Sequence, residues 1–114
     1  MSNAIEEKSF RFAVRIVKLC KYLRDAKREF TISNQLLRSG TSIGANVAEA
    51  QQAQSRADFI SKLSIALKEA SETCYWLRLL GATEYLENRE FAPVYSDCQE
   101  LEKLLTSIIK STKI

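Results

Sequence analysis

The sequence predicts an all-α protein, an antiparallel up-and-down four-helix bundle. Three observations carry that expectation. Apolar residues recur with a period near 3.6 through nearly everything after residue 8. Only three Gly and one Pro interrupt 114 residues, far fewer turn formers than a β-sandwich or barrel of this length needs. The periodic blocks are four and their connections short, which makes consecutive helices antiparallel neighbours. A hydrophobic content of 46% beside 27% charged residues suits a folded domain, and a chain of this size buries roughly two-thirds of its unfolded surface. Residues 5–114 are expected to form that single domain, with Met1-Ser2-Asn3-Ala4 a dispensable or disordered leader.

The first block, about Lys8 to Lys27, places Ala13, Ile16, Val17, Cys20 and Leu23 on one face. A short connection over 30–34 follows, in which Thr31 or Ser33 can cap the next helix. The second block runs to about Ala53 and aligns Ile32, Leu36, Ile43, Val47 and Ala50. Ser55-Arg56-Ala57-Asp58 resembles a capping box with Asp in place of Glu and opens the third helix. There Phe59, Leu63, Ala66, Ala70, Cys74 and Leu77 share a narrow arc, and Gly81 is a natural stop. The fourth block, about Arg89 to Ser111, carries Phe91, Val94, Cys98, Leu101, Leu105 and Ile109, with Pro93 suited to its first turn.

Two stretches hold more than one bundle requires. Each glycine inside the second helix costs about 1 kcal/mol relative to Ala. Gly40 joins the Leu36–Ile43–Val47 stripe, while Leu37, Thr41, Gly44 and Ala48 form a second line beside it. Small residues at that spacing let another helix approach closely, either within the chain or from another subunit. A loop at Ser39-Gly40, with a new helix capped at Thr41 or Ser42, is the remaining reading. On the third helix, Ile65, Trp76 and Leu79 line a face turned away from the core, together with Glu69 and Glu72. Three apolar residues in line, one of them Trp, suggest a partner surface, and a second copy is the default partner. The candidate subunit contacts are therefore Leu37, Gly44, Ala48, Ile65, Trp76 and Leu79.

Charge is distributed unevenly. Residues 1–30 hold eight basic residues against four acidic ones, and residues 84–102 hold six acidic against one basic, within a net charge of +3. Lys8, Arg11, Arg15 and Lys18 share one arc of the first helix, away from its core face. Such a stripe can follow a phosphate backbone, or it can be a solvated face partly neutralised by the acidic fourth helix. The candidate nucleic-acid contacts are Arg11, Arg15, Lys18, Lys21 and Arg24. Phe10, Phe12 and Tyr22 interleave with them, a spacing that usually means packing. No recognition helix-turn-helix or RNA-recognition motif is present.

The absences exclude much chemistry. With no His, Ser-His-Asp and Cys-His systems and His metal sites are out. Cys20, Cys74 and Cys98 lie 54 and 24 residues apart, too few and too sparse for a four-Cys zinc site, and read as reduced, buried thiols in a cytoplasmic protein. No phosphate-binding glycine motif occurs. Ser107 and Lys110 match Ser-x-x-Lys without the companion motifs that give it meaning. Asn46 and Glu49 read as a buried polar pair that fixes register rather than doing chemistry. No enzyme activity, metal or cofactor is expected. No apolar run approaches a membrane span and no export signal is seen.

The run Arg38-Ser39-Gly40-Thr41-Ser42-Ile43-Gly44-Ala45-Asn46, with Ser55-Arg56-Ala57-Asp58-Phe59, Ile65-Ala66-Leu67-Lys68-Glu69-Ala70 and Glu72-Thr73-Cys74-Tyr75-Trp76-Leu77, resembles the bacterial 23S rRNA intervening-sequence proteins over about residues 8–112. It is similar also to the accessory variability proteins of diversity-generating retroelements. The resemblance implies an antiparallel four-helix bundle assembled into a homopentamer. Through the accessory relatives it further implies binding to RNA or DNA by a basic surface of the ring, with a reverse transcriptase as a protein partner. It implies no reaction, since fold membership does not carry function.

Overall fold

The computed structural model describes residues 3–113. They form four helices: α1 (Ala4–Asp25), α2 (Thr31–Ala50), α3 (Arg56–Ala82) and α4 (Asn88–Lys113). Each helix packs on the next and α4 returns against α1, closing an antiparallel up-and-down bundle of 44 × 24 × 19 Å. The expectation placed on Met1 and Ser2 lies outside the described residues. Asn3 has a defined role: its side chain accepts the Glu6 N–H (3.4 Å) as the cap of α1, and its Nδ2 donates to Gln51 Oε1 (2.9 Å) at the end of α2. No helix among the described residues is long and apolar enough to cross a membrane.

The expected apolar lines of α2, α3 and α4 form the core. Leu36, Ile43, Val47, Leu63, Ala66, Ala70, Leu77, Val94, Cys98, Leu101 and Leu105 are buried, while Ile32, Phe59 and Phe91 pack at its margin. The face expected of α1 needs correction. Its buried line is Ile5, Ser9, Phe12, Ile16, Cys20 and Leu23, and Val17 is 49% exposed. Val17 follows Ile16 by one residue, about 100° round the helix, and Ile5 and Phe12 draw the buried face the other way.

Several helix ends also differ from expectation. Neither Thr31 nor Ser33 caps α2. The buried Glu29 does so, its carboxylate accepting the N–H groups of Ile32 (3.0 Å) and Ser33 (2.7 Å). A carboxylate at a helix N-terminus satisfies orphan donors and favours the dipole. Gly81 does not end α3. It lies within the helix, where an added Cβ would sit 3.1 Å from Phe91 Cδ1, and the left-handed residue beyond the helix is Glu84 (φ 66). Pro93 falls in the second turn of α4, not the first, and is exposed. Ser55 and Asp58 do form the expected cap: Ser55 Oγ accepts the Asp58 N–H (3.0 Å), and Asp58 Oδ2 accepts that of Gln54 (3.3 Å).

Helix α2 is continuous through Ser39-Gly40. Thr41 and Ser42 donate their hydroxyls back to the carbonyls of Leu37 (2.7 Å) and Arg38 (2.6 Å) instead of starting a new helix. Both glycines serve the contact with α1. A Cβ on Gly40 would lie 2.8 Å from Ile16 Cγ2, and one on Gly44 would lie 3.2 Å from the Ser9 carbonyl oxygen. Across the α2–α3 contact, the buried Thr73 hydroxyl is 3.0 Å from Ser39 Oγ and donates to the Glu69 carbonyl (2.7 Å). Small hydroxyl and glycine residues thus bring α2 close to both neighbours with its polar atoms satisfied.

Candidate nucleic-acid interface

The antiparallel packing of α1 on α4 sets the basic stripe against acid. Lys8 pairs with Glu100 (2.9 Å) and Arg15 with Asp97, all four side chains about half exposed. Arg15 is therefore engaged, and its free charge is reduced. Arg11 borders the same charged groove but forms no ion pair among the described residues, and neither do Lys18, Lys21 and Arg24; all four are exposed. The five candidate residues do not share one face. At about 100° per residue, Arg11, Arg15 and Lys18 look outward and toward α4, whereas Lys21 and Arg24 turn toward α2.

Downstream of Arg24 the chain leaves α1 through Lys27 and Arg28. Arg28 adopts φ 57, and the Glu29 N–H closes the turn onto the Leu23 carbonyl (3.0 Å). Phe30 follows, 44% exposed, with the guanidinium carbons of Arg28 and Arg24 at 5.2 and 5.9 Å from its ring centroid.

The α2 side of α1 carries an apolar surface. Phe10 is 69% exposed, and Val14 and Val17 are 40% and 49% exposed. Beside Phe10 lies a groove of about 530 Å³ lined by Ala13, Thr41, Gly44, Ala45 and Ala48, with Glu6 and Glu7 at its rim. Gly44 and Ala48 thus border this groove, while Leu37 is half-buried against the core. On α3, Ile65 is exposed, and Leu79 and Trp76 are half-buried. Trp76 donates from Nε1 to Glu72 Oε2 (3.2 Å), which also accepts from Arg38 (3.0 Å), and Tyr75 packs edge-on against the indole at 5.1 Å. The two faces lie on opposite sides of α2.

The matching family model is that of the 23S rRNA-intervening sequence protein, over residues 1–107. The chain belongs to the 23S rRNA-intervening sequence protein family. The chain is similar to a protein of unknown function from the S23 ribosomal protein family of Bacteroides thetaiotaomicron, known from a crystal structure. The TM-score is 0.92 at 59% identity, covering 93% of this chain and 98% of that one. No curated protein matches. The intervening-sequence family match covers α1, α2 and α3, and α4 as far as residue 107, and so includes both surfaces.

The remaining candidate chemistry disperses. Asn46 and Glu49 are not a buried pair: Asn46 Nδ2 donates to the Ser42 carbonyl (2.8 Å), and the exposed Glu49 pairs with Lys62 (3.2 Å). Ser107 and Lys110 are both exposed on α4. All three cysteines are free and buried. Burial pushes the Cys20 thiol up to about 12, and the neighbouring Cys74 thiol, together with burial, raises that of Cys98 well above the ordinary thiol range. Thiolates, the nucleophilic form, are thereby suppressed. Sequence reasoning missed Val14, which lies on a wheel face assigned to charge; it read Phe10 as packing and left Phe30 in the connection between the first two helices, whereas both are exposed.

Proposed function

We propose that this intervening-sequence family protein is a non-catalytic, self-associating bundle that binds nucleic acid through phosphate contacts along the solvent face of α1. One observation carries the reading. After α4 has neutralised Lys8 and Arg15, the cations Arg11, Lys18, Lys21 and Arg24 remain exposed and without ion pairs among the described residues. Unpaired cations spread over the solvent side of one helix favour a polyanion and release its counterions on binding. The apolar face of Phe10, Val14 and Val17 beside the α1–α2 groove supports association of copies, and the family resemblance implies a ring of five.

The test is fluorescence anisotropy with a labelled structured RNA and a matched duplex DNA, at low and near-physiological salt. The expected outcome is binding that weakens steeply with salt and is abolished by joint Arg11→Glu, Lys18→Glu and Lys21→Glu substitution with the helical spectrum unchanged. Unchanged affinity in that variant, or no binding by the native chain, refutes the reading. In that case a protein-interaction scaffold without nucleic acid becomes the better account.

A further inference from the structure

We infer that the corner joining α1 to α2 is a site for unpaired nucleotides, where a base stacks on Phe30 while Lys21, Arg24 and Arg28 hold the flanking phosphates. The inference rests on the nucleic-acid reading and deepens it to single-stranded ligands.

Nothing in the fold asks for an aromatic ring at position 30. Phe30 occupies the N-cap of α2 but contributes no side-chain capping bond; Glu29 supplies that service. Nor does it belong to the core, since the residue is 44% exposed. The ring is flanked by cations, with the guanidinium carbons of Arg28 and Arg24 at 5.2 and 5.9 Å from its centroid. An exposed π surface bordered by guanidinium groups offers both things a nucleotide recognises, a platform for the base and charge for its phosphate.

The backbone gives an independent pointer. Arg28 sits in the left-handed region at φ 57, in the turn two residues beyond the C-cap of α1, a conformation that Gly adopts without strain. A long cationic side chain here works against local conformational preference, and its head group lies over Phe30. Strained residues held by their surroundings are a feature of binding sites.

The local acids do not cancel this charge. The Glu29 carboxylate is buried on two backbone N–H groups, which leaves Asp25 as the remaining acid between Lys21 and Phe30. At the same end of the bundle the α3–α4 turn carries Glu84 and Glu87 and the first turn of α4 carries Glu90, which favours the α1–α2 side for a polyanion. A ring on a convex turn reaches a base that is already unstacked, not one enclosed in a duplex.

The test compares Phe30→Ala, Phe30→Leu and Phe30→Tyr by anisotropy, using single-stranded RNA and DNA oligonucleotides of one base sequence and their duplexes. The Ala and Leu variants are expected to bind single strands roughly tenfold more weakly, with Tyr near native and duplex binding unaltered. Loss on RNA alone supports the site with RNA as its ligand. Arg28→Gly should weaken single-strand binding while its melting temperature stays at or above the native value, separating lost contact from lost fold. Unchanged single-strand affinity in Phe30→Ala, while the α1 charge reversal abolishes binding, overturns the stacking site and leaves the phosphate reading standing. No binding by the native chain overturns both.

Discussion

Glu29 stands out among the buried polar groups because its two carboxylate bonds start a helix that otherwise lacks a side-chain cap. Replacing it with Ala leaves the Ile32 and Ser33 N–H groups without that acceptor. Glu29→Ala is expected to cost about 1–2 kcal/mol, read as a lower urea midpoint at unchanged slope. The cysteines give a second residue-scale expectation. Cys20 is lifted from 9.0 to about 12 by burial. A raised folded-state value means that the thiol's contribution to stability is complete below about pH 9 and is lost as pH climbs toward 12. Stability measured across that window should therefore fall, and a thiol reagent at mildly alkaline pH should label none of the three cysteines until the chain is unfolded. Prompt labelling of native protein would contradict the buried geometry. Sequence reasoning placed all three on apolar faces correctly. It missed Glu29 because an acid three or four residues ahead of its acceptors reads as one more surface charge until the turn folds it back.

At the scale of the helix, the close approach of α1 and α2 depends on what Gly40 leaves empty. Ile16 is fully buried and β-branched, so it cannot swing away from a new Cβ placed 2.8 Å from its Cγ2. Gly40→Ala gains about 1 kcal/mol of helix propensity and loses roughly 1–3 kcal/mol to overpacking. Net destabilisation is the expected thermal-melting result, and a rise in midpoint would mean that the helices can separate freely. The α1–α4 seam makes the complementary prediction. Asp97→Asn with Glu100→Gln releases Arg15 and Lys8 from their partners. The pairs are half exposed and contribute little to stability, so folding should hardly change, while nucleic-acid affinity rises and its salt dependence steepens by about one unit per freed cation. The periodicity alone located every helix. The ends were less legible, because Gly81 and Pro93 are punctuation in the sequence that the helices run through.

For the molecule as a whole, the exposed line of Phe10, Val14 and Val17 is the largest departure from what a solitary bundle would present. Phe10→Asp removes apolar area at a position 69% exposed, so the bundle should remain folded while light scattering reports a smaller species. A native mass would remove this face as a subunit contact and return attention to Ile65, Trp76 and Leu79.

The hydrophobic period, the scarcity of turn residues and the sparse cysteines determined by themselves that this is a bundle of four antiparallel helices with a thiol-containing core. They do so because burial of one stripe per helix is a local, repeating requirement that sequence records directly. Which cations stay free was decided only by tertiary structure, since the partners of Lys8 and Arg15 lie 92 and 82 residues away. The same holds for the two glycines, whose neighbours Ile16 and Ser9 belong to another helix, and for Phe30, whose cationic surroundings exist only once the chain has turned at Arg28. Long-range pairing and the direction of a turn depend on how helices meet, and no single helix's pattern contains that information.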